Sequence, residues 1–206
     1  MLIKNTADYI KKVKGAIHVG GHDGGERDWY KSLGFSPVIW FEPNIELFKR
    51  LKENIKGYEN HKAYNFAIHD TLKTGVLNIS SNDGQSSSIL ELGLHKQYHP
   101  KVHYVGIQSI ELIRLDSFFE GNDFVTINDF NLLNIDVQGV ELNVIKSLGE
   151  LIKHFDYIYC EINIAELYKG CSLVEGIDTY LKEFGFNREV TYMTKNKWGD
   201  ALYIKR

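Results

Sequence analysis

The chain has 206 residues, 43% of them hydrophobic, and a formal net charge of −3 with acidic and basic residues interspersed. This length suits one domain with a full sheet and covering helices, so we predict a single domain over residues 1–206. The absence of a broad basic field argues against a nucleic-acid partner. Two cysteines are too few for a disulfide framework, and no apolar run could span a bilayer, so we expect a cytoplasmic protein.

Residues 16–44 have the pattern of a strand, a glycine-rich turn, a helix and a second strand. Glycine pairs at 20–21 and 24–25 follow the first apolar run, and such a turn lets the backbone approach a ligand closely before a helix begins. The second apolar run ends at Glu42, about 20 residues beyond the first glycines, where a nucleoside-binding α/β fold places the acid that binds the ribose. The region therefore predicts a nucleoside cofactor site.

An alternative explanation of this region is purely structural. The dinucleotide pattern G-x-G-x-x-G is not met, because His22 and Asp23 interrupt the glycines. The glycines would then only form a tight turn between strand and helix, and Glu42 would be a solvated strand end. The spacing between the glycines and Glu42 favours the cofactor site.

Strand and helix patterns continue to alternate after Glu42. Residues 45–55 carry apolar side chains at helical spacing, and residues 63–68 form a third apolar run. This alternation predicts an α/β fold in which a mostly parallel sheet lies between two layers of helices. Ligands of such folds bind at the carboxyl ends of the strands, so the glycine turn and Glu42 should lie together.

Residues 75–116 interrupt this alternation with β-rich sequence and no helix long enough for a crossover, which predicts an insertion over the site. Three histidines in it, His95, His99 and His103, are four residues apart. That spacing suggests a metal site, but Pro100 breaks the helix needed to align the three rings. We therefore favour a loop that contacts the substrate or covers the pocket, and we predict no metal site.

Two acids later in the chain also lie near the ends of apolar runs, as Glu42 does. Asp136 lies near the end of the apolar run 132–137, and Glu161 and Asn163 end the next run, 157–163. If these strands are parallel neighbours, all three side chains face the same crevice. The alternative for Asp136 is an acid held in a turn by backbone N–H groups. Residues 188–193 and 201–204 then predict an antiparallel hairpin that closes the sheet.

Seven motifs now suggest a family. In chain order they are IHVGGHDGGE, WFEPN, NFAI, SSSIL, IRLDSF, LLNIDVQGVE and WGDALYI. Together they resemble the FkbM family of S-adenosylmethionine-dependent methyltransferases over nearly the whole chain. The resemblance implies a Rossmann-like class I methyltransferase fold, S-adenosylmethionine as the cofactor, and O-methylation of a sugar, glycan or glycosylated small molecule, lipid-linked glycans included.

The resemblance also implies a set of site residues. The implied cofactor-binding positions are Gly20, Gly21, His22, Glu26, Glu42, Pro43, Asn65, Phe66, Ala67, Ser87 and Asp136. Gly20, Gly21 and His22 would line the methionine part, with Glu42 at the ribose. One departure is His18, where many members carry Asp, so the methionine amine would be held through Glu26 or Asp136.

A carboxylate close to the acceptor oxygen can take its proton during methyl transfer, and we predict Asp136 as this base with Glu161 as the second choice. A divalent cation held by these acids and Asn163 is the alternative device. A nicotinamide oxidoreductase ranks lower, because its Tyr-x-x-x-Lys pair occurs only as Tyr58 and Lys62, in a loop. A non-catalytic binding module is the third class, and the oligomeric state stays open.

Overall fold

This computed structural model describes residues 6–121 and 125–206 of the chain. Strands and helices alternate through most of these residues. The strands are β1 (Gly15–Val19), β2 (Val38–Phe41), β3 (His61–Tyr64), β4 (Ala67–Ile68), β5 (Lys73–Ser80), β6 (Tyr104–Ile113), β7 (Phe130–Ile135), β8 (Tyr157–Asn163), β9 (Phe186–Met193) and β10 (Trp198–Lys205). The α-helices are α1 (Arg27–Leu33), α2 (Ile45–Asn54), α3 (His95–Tyr98), α4 (Leu115–Glu120), α5 (Glu141–Lys146) and α6 (Val174–Lys182).

Seven strands form the main sheet, in the order β3-β2-β1-β7-β8-β10-β9. The first five strands in this order pair in parallel, and β10 runs antiparallel to both β8 and β9. The predicted α/β fold with a mostly parallel sheet and a C-terminal antiparallel hairpin is confirmed. The strand order reverses between β1 and β7, and this is where doubly wound folds open a crevice for ligands.

The predicted insertion is confirmed as a second sheet of three strands, in the order β4-β6-β5. The single apolar strand predicted over residues 63–68 is wrong, because β3 belongs to the main sheet and β4 to the second one. Asn65 lies between them, and its amide donates to the carbonyl oxygens of Glu42 (2.8 Å) and Pro43 (2.9 Å). These bonds fix the bend at which the chain leaves the main sheet.

Two apolar clusters cover the faces of the main sheet. On one face Tyr30 of α1 and Leu51 of α2 pack with Trp40, and all three side chains are fully buried. On the other face Val144 of α5 and Ile177 of α6 join a larger cluster from β1, β2, β7 and β8. Burial of each such side chain stabilises the fold by roughly 1.5–3 kcal/mol. Strands buried on both faces explain the uninterrupted apolar runs in the sequence.

Candidate active site

A cavity of about 490 Å³ lies at the carboxyl ends of β1, β2 and β7 and is covered by the second sheet. Its size is in the range of pockets that hold small ligands. Of the predicted site residues, those that line it are Gly20, His22, Glu26, Glu42, Pro43, Phe66, Ala67, Ser87, Asp136 and Glu161. Gly21 and Asn65 do not line it. The topology therefore brings most of the predicted set to one place.

The glycine turn after β1 brings backbone against backbone. Gly20 has φ +84, and a Cβ there would lie 1.8 Å from the carbonyl oxygen of Asp136, so no other residue fits without rearrangement. The N–H groups of Gly20 and Gly21 both donate to Phe41 at 2.9 Å. Gly21 packs against Trp40 on the side away from the cavity. The turn thus forms the cavity wall with its own backbone.

Glu42 ties this turn to the end of β2. Its carboxylate accepts one hydrogen bond from the backbone N–H of His22 and one from that of Asn44, both at 2.8 Å. Burial raises the pKa of Glu42 to about 7, although both hydrogen bonds favour the charged form. Each carboxylate oxygen keeps a further lone pair with which it can accept a hydroxyl group.

An apolar recess beside Glu42 is lined by Phe66, Ala67, Ile68, Leu77 and Leu112. Pro43 and Ser87 stand at its edge. Pro43 is held by Gln108 of β6, whose amide donates to its carbonyl oxygen at 2.7 Å. We call Glu42, Pro43, Ser87 and this recess the nucleoside end of the cavity, because hydroxyl-binding and apolar surfaces adjoin there.

Asp136 and Glu161 are joined by Gln138. The Gln138 amide donates to Asp136 Oδ1 at 2.5 Å and to Glu161 Oε2 at 3.0 Å. Its carbonyl oxygen accepts from the Tyr168 hydroxyl at 2.6 Å, and its φ of +58 lies in the left-handed region. Asp136 is open to the cavity, and desolvation by the surrounding walls raises its pKa. Burial, followed by repulsion from Asp136, raises the pKa of Glu161 well above its ordinary value.

Other candidates take different places. Asn163 is fully buried, does not line the cavity, and has no partner for either polar side-chain atom. In the described part of the chain, no three His, Cys, Asp or Glu side chains gather in a way that could hold a metal ion. Glu26 precedes α1 without capping it, and burial raises its pKa. Glu26 also lines the cavity, so its carboxyl group adds to those of Asp136 and Glu161 on the wall.

His18 belongs to the core of the protein. It is 3% exposed, stacks on Trp40 with 4.8 Å between ring centroids, and its Nδ1 lies 3.0 Å from the Tyr30 hydroxyl. Burial lowers the pKa of His18 to about 4, so the ring is neutral. The Tyr30 hydroxyl in turn accepts from Asn134 at 2.8 Å. A neutral imidazole in this network makes its hydrogen bond without placing a charge in the core.

Sequence reasoning missed Gln138, although it lies two residues after Asp136. An amide in a turn gives no signal of its own, and only the positive φ at Gln138, which is invisible in the sequence, directs its side chain toward both acids. His95 and His99 line the cavity, whereas His103 is exposed outside it. The regular spacing of the three histidines therefore carried no information about a shared site.

Solved structures of methyltransferases share this fold. A putative tRNA (m1A22) methyltransferase of Streptococcus pneumoniae, solved with S-adenosyl-L-methionine, has a TM-score of 0.54 at 10% identity, covering 97% of this chain and 69% of that one. Magnesium protoporphyrin IX methyltransferase of Synechocystis PCC 6803 has a TM-score of 0.51 at 9% identity, covering 97% and 74%. The fold is therefore that of the Rossmann-like methyltransferases.

The sequence identifies the family. The model of the methyltransferase FkbM domain matches residues 18–188. The chain belongs to the FkbM methyltransferase family and is an S-adenosylmethionine-dependent methyltransferase. It is also similar to the 2-O-methyltransferase NoeI of Sinorhizobium fredii, at 27% identity over 193 residues that cover 90% of this chain and 77% of the relative.

The described residues fit this cofactor. Gly20 lets the turn close directly against the backbone of Asp136, Glu42 offers acceptor atoms for hydroxyl groups, and the apolar recess suits a nucleobase. Carboxyl groups of Glu26 and Asp136 line the rest of the wall, as a cationic ligand requires. Within the two described stretches, no helix has the length and apolar character that crossing a membrane requires.

Proposed function

We propose that this enzyme transfers a methyl group to a hydroxyl oxygen of a sugar, a glycan or a glycosylated small molecule. The observation that carries the proposal is a pair of carboxyl groups on the cavity wall, Asp136 open to the cavity and Glu161 buried beside it, which Gln138 bridges. Alcohols need a base during transfer, and this pair offers one. The similarity to a 2-O-methyltransferase supports an oxygen acceptor.

The proposed cofactor contacts follow the wall of the cavity. Glu42 accepts the ribose hydroxyls, while Pro43, Phe66, Ala67 and Ser87 surround the adenine. Gly20, His22, Glu26 and Asp136 hold the methionine part, where a positive amine meets two carboxyl groups. Gly21 and Asn65 support the site without lining the cavity. Gly21 packs against Trp40 beneath the turn, and Asn65 fixes the carbonyl groups of Glu42 and Pro43.

When bound, S-adenosylmethionine supplies a methyl group on a positively charged sulfonium. Asp136 takes the proton of the acceptor hydroxyl, with Glu161 as the second candidate for this role. Desolvation by the walls of the crevice raises both pKa values and makes each carboxylate a stronger base than one in open water. Gln138 holds both carboxyl groups in place, and this orientation removes part of the entropic cost of the reaction.

We further propose that residues 1–206 act as one methyltransferase domain in the cytoplasm. Cys160 and Cys171 are both free and buried, which suits a reducing compartment. Burial raises the pKa of both thiols, so neither is activated as a nucleophile.

Calorimetry with S-adenosylhomocysteine and a transfer assay test the proposal together. We expect tight binding of S-adenosylhomocysteine, and mass spectrometry should then detect one added methyl group on a hydroxyl of a glycoside acceptor. Folded protein that does not bind S-adenosylhomocysteine would refute the assigned cofactor contacts. Transfer to nitrogen or carbon acceptors, with none to hydroxyls, would refute O-methylation.

A further inference from the structure

The cavity extends beyond Asp136 into a part that the cofactor contacts leave free. Its walls come from α3, from the loop after β8 and from the start of β10. The aromatic side chains of this part are His95, His99, Tyr168 and Trp198. We call them the ring-lined end of the cavity. Glu161 and Gln138 lie between this end and Asp136.

The rings at this end contact each other. The centroids of His95 and His99 are 4.7 Å apart, and those of His95 and Tyr168 are 5.4 Å apart. His95 is 5% exposed, yet its Nδ1 has no hydrogen-bond partner. A buried polar atom without a partner costs about 1–3 kcal/mol, so a ligand group that pairs with it gains affinity.

Where the structure describes it, the wall of the cavity carries several acidic side chains and lacks strongly basic ones. The described residues that line the cavity include five carboxyl groups, Asp23, Glu26, Glu42, Asp136 and Glu161, and no Lys or Arg. Phosphate and carboxylate ligands bind through Arg, Lys or clustered N–H donors, and like charges at short range repel. An anionic acceptor would find no countercharge on this wall.

We propose that the ring-lined end binds a neutral sugar ring, that His95 Nδ1 forms a hydrogen bond with one of its hydroxyls, and that acceptors with phosphate or carboxylate groups are rejected. This specificity rests on the proposed O-methylation. The partly exposed rings of His99 and Trp198 stack on the apolar faces of the sugar, while Glu161 and Gln138 offer polar atoms to its hydroxyls.

The electrostatics of His95 agree with this assignment. Burial, followed by repulsion from His99, lowers the pKa of His95 to about 4. The imidazole is therefore neutral near pH 7, where it can form a hydrogen bond but supplies no positive charge to balance an anion.

Matched acceptor pairs test the selectivity. Methyl glycosides of hexoses are compared with the corresponding uronic acids and 6-phosphates, in the presence of S-adenosylhomocysteine, by saturation-transfer NMR, and initial rates are then measured with S-adenosylmethionine. We expect signals and turnover for neutral members and at least a tenfold loss for the charged ones. Equal or better charged acceptors, or transfer to phenols but to no glycoside, would overturn the inference. If the folded protein does not bind S-adenosylhomocysteine, the proposed cofactor site is refuted instead.

Variants of His95 test the hydrogen bond. His95→Phe keeps a ring but removes Nδ1, and we expect KM for the best neutral glycoside to rise about tenfold, in line with a lost hydrogen bond of ~1.4 kcal/mol. His95→Asn returns an amide near the Nδ1 position and should restore most of the affinity. His103→Phe changes an exposed histidine of the same insertion and is the matched control. An unchanged KM in His95→Phe, with the fold verified by S-adenosylhomocysteine binding, contradicts the role.

Discussion

At the nucleoside end of the cavity, both carboxylate oxygens of Glu42 already hold a backbone N–H group, whereas at the ring-lined end the buried Nδ1 of His95 has no partner. The nucleoside end is built from chain that directly follows β2 and β3 and from the second sheet and its loop. The ring-lined end draws on α3, the loop after β8 and the start of β10. This difference indicates that the nucleoside end is preorganised before a ligand binds, whereas a polar atom of the ring-lined end gains its hydrogen bond only when a ligand binds.

Asp136→Asn should have the largest effect, because it removes the proposed base between the two ends and keeps the side-chain shape. We expect kcat to fall by about 10²–10⁴-fold. Asp136 is also one of the proposed contacts of the methionine amine, so we expect the affinity for S-adenosylhomocysteine, measured by calorimetry, to fall by about tenfold, far less than the loss of kcat at saturating cofactor. Glu161→Gln is the comparison. A larger loss of kcat in Glu161→Gln would transfer the role of base to Glu161.

Glu42→Ala should weaken binding at the nucleoside end and leave binding at the ring-lined end nearly unchanged. The variant loses the bonds to His22 and Asn44 and the proposed ribose contacts, so we expect the Kd of S-adenosylhomocysteine to rise about 10–100-fold. Acceptor affinity should change far less. Glu46→Ala removes an exposed carboxyl group of the neighbouring α2 and is the matched control. An equal loss of S-adenosylhomocysteine affinity in both variants would contradict the proposed contact between Glu42 and the ribose.

Gln138→Leu should disturb the link between the two carboxyl groups. Without the amide N–H groups that stabilise their charged forms, the pKa of Asp136 and of Glu161 rises further. A base with a higher pKa loses its proton only at higher pH, so the acidic limb of the kcat profile should move upward by about one unit, the size typical of one hydrogen bond to a carboxylate. A profile that stays in place would show that Gln138 does not tune the base.

Asp200→Asn should leave turnover nearly unchanged but alter stability. Burial raises the pKa of Asp200 to about 7, and its Oδ2 has no hydrogen-bond partner. The folded protein therefore binds this proton more tightly than the unfolded chain, so ionisation of Asp200 destabilises the fold as pH rises from about 4 to about 7. We expect Asp200→Asn to be more stable than wild type by about 2–4 kcal/mol at pH 8 and by little at pH 4, as urea unfolding would measure. A gain independent of pH would contradict this cause.

The sequence predicted the parts of the fold that are periodic and local. Apolar runs before Glu42 and Asp136 gave the strands, and parallel alternation placed the acids that follow them at one edge. The break at Asn65 was not predictable, because side-chain bonds to carbonyl groups and pairing with the distant β6 decide it. Tertiary pairing overrode the apolar pattern there.

Prediction of the site failed where loops supply the residues. His95, Tyr168 and Gln138 carry no periodic signal, and their meeting depends on how the insertion and the loop after β8 fold against each other. His18 is a further case, since the sequence marked it only as a departure from the family and gave no sign that its ring packs into the core. Residue type and spacing alone do not reveal which side of a strand is buried.

Residues 82–99 connect both ends of the cavity. Asp83 pairs with Arg50, and its carbonyl oxygen lies 2.9 Å from His22 Nε2, while Ser87 lines the nucleoside end and His95 the ring-lined end. A ligand at either end thus restrains the same stretch of chain, so the second ligand has less conformational entropy left to remove. Thermodynamic reciprocity then requires that the proposed glycoside acceptor strengthens S-adenosylhomocysteine binding by the same factor by which S-adenosylhomocysteine strengthens binding of that acceptor.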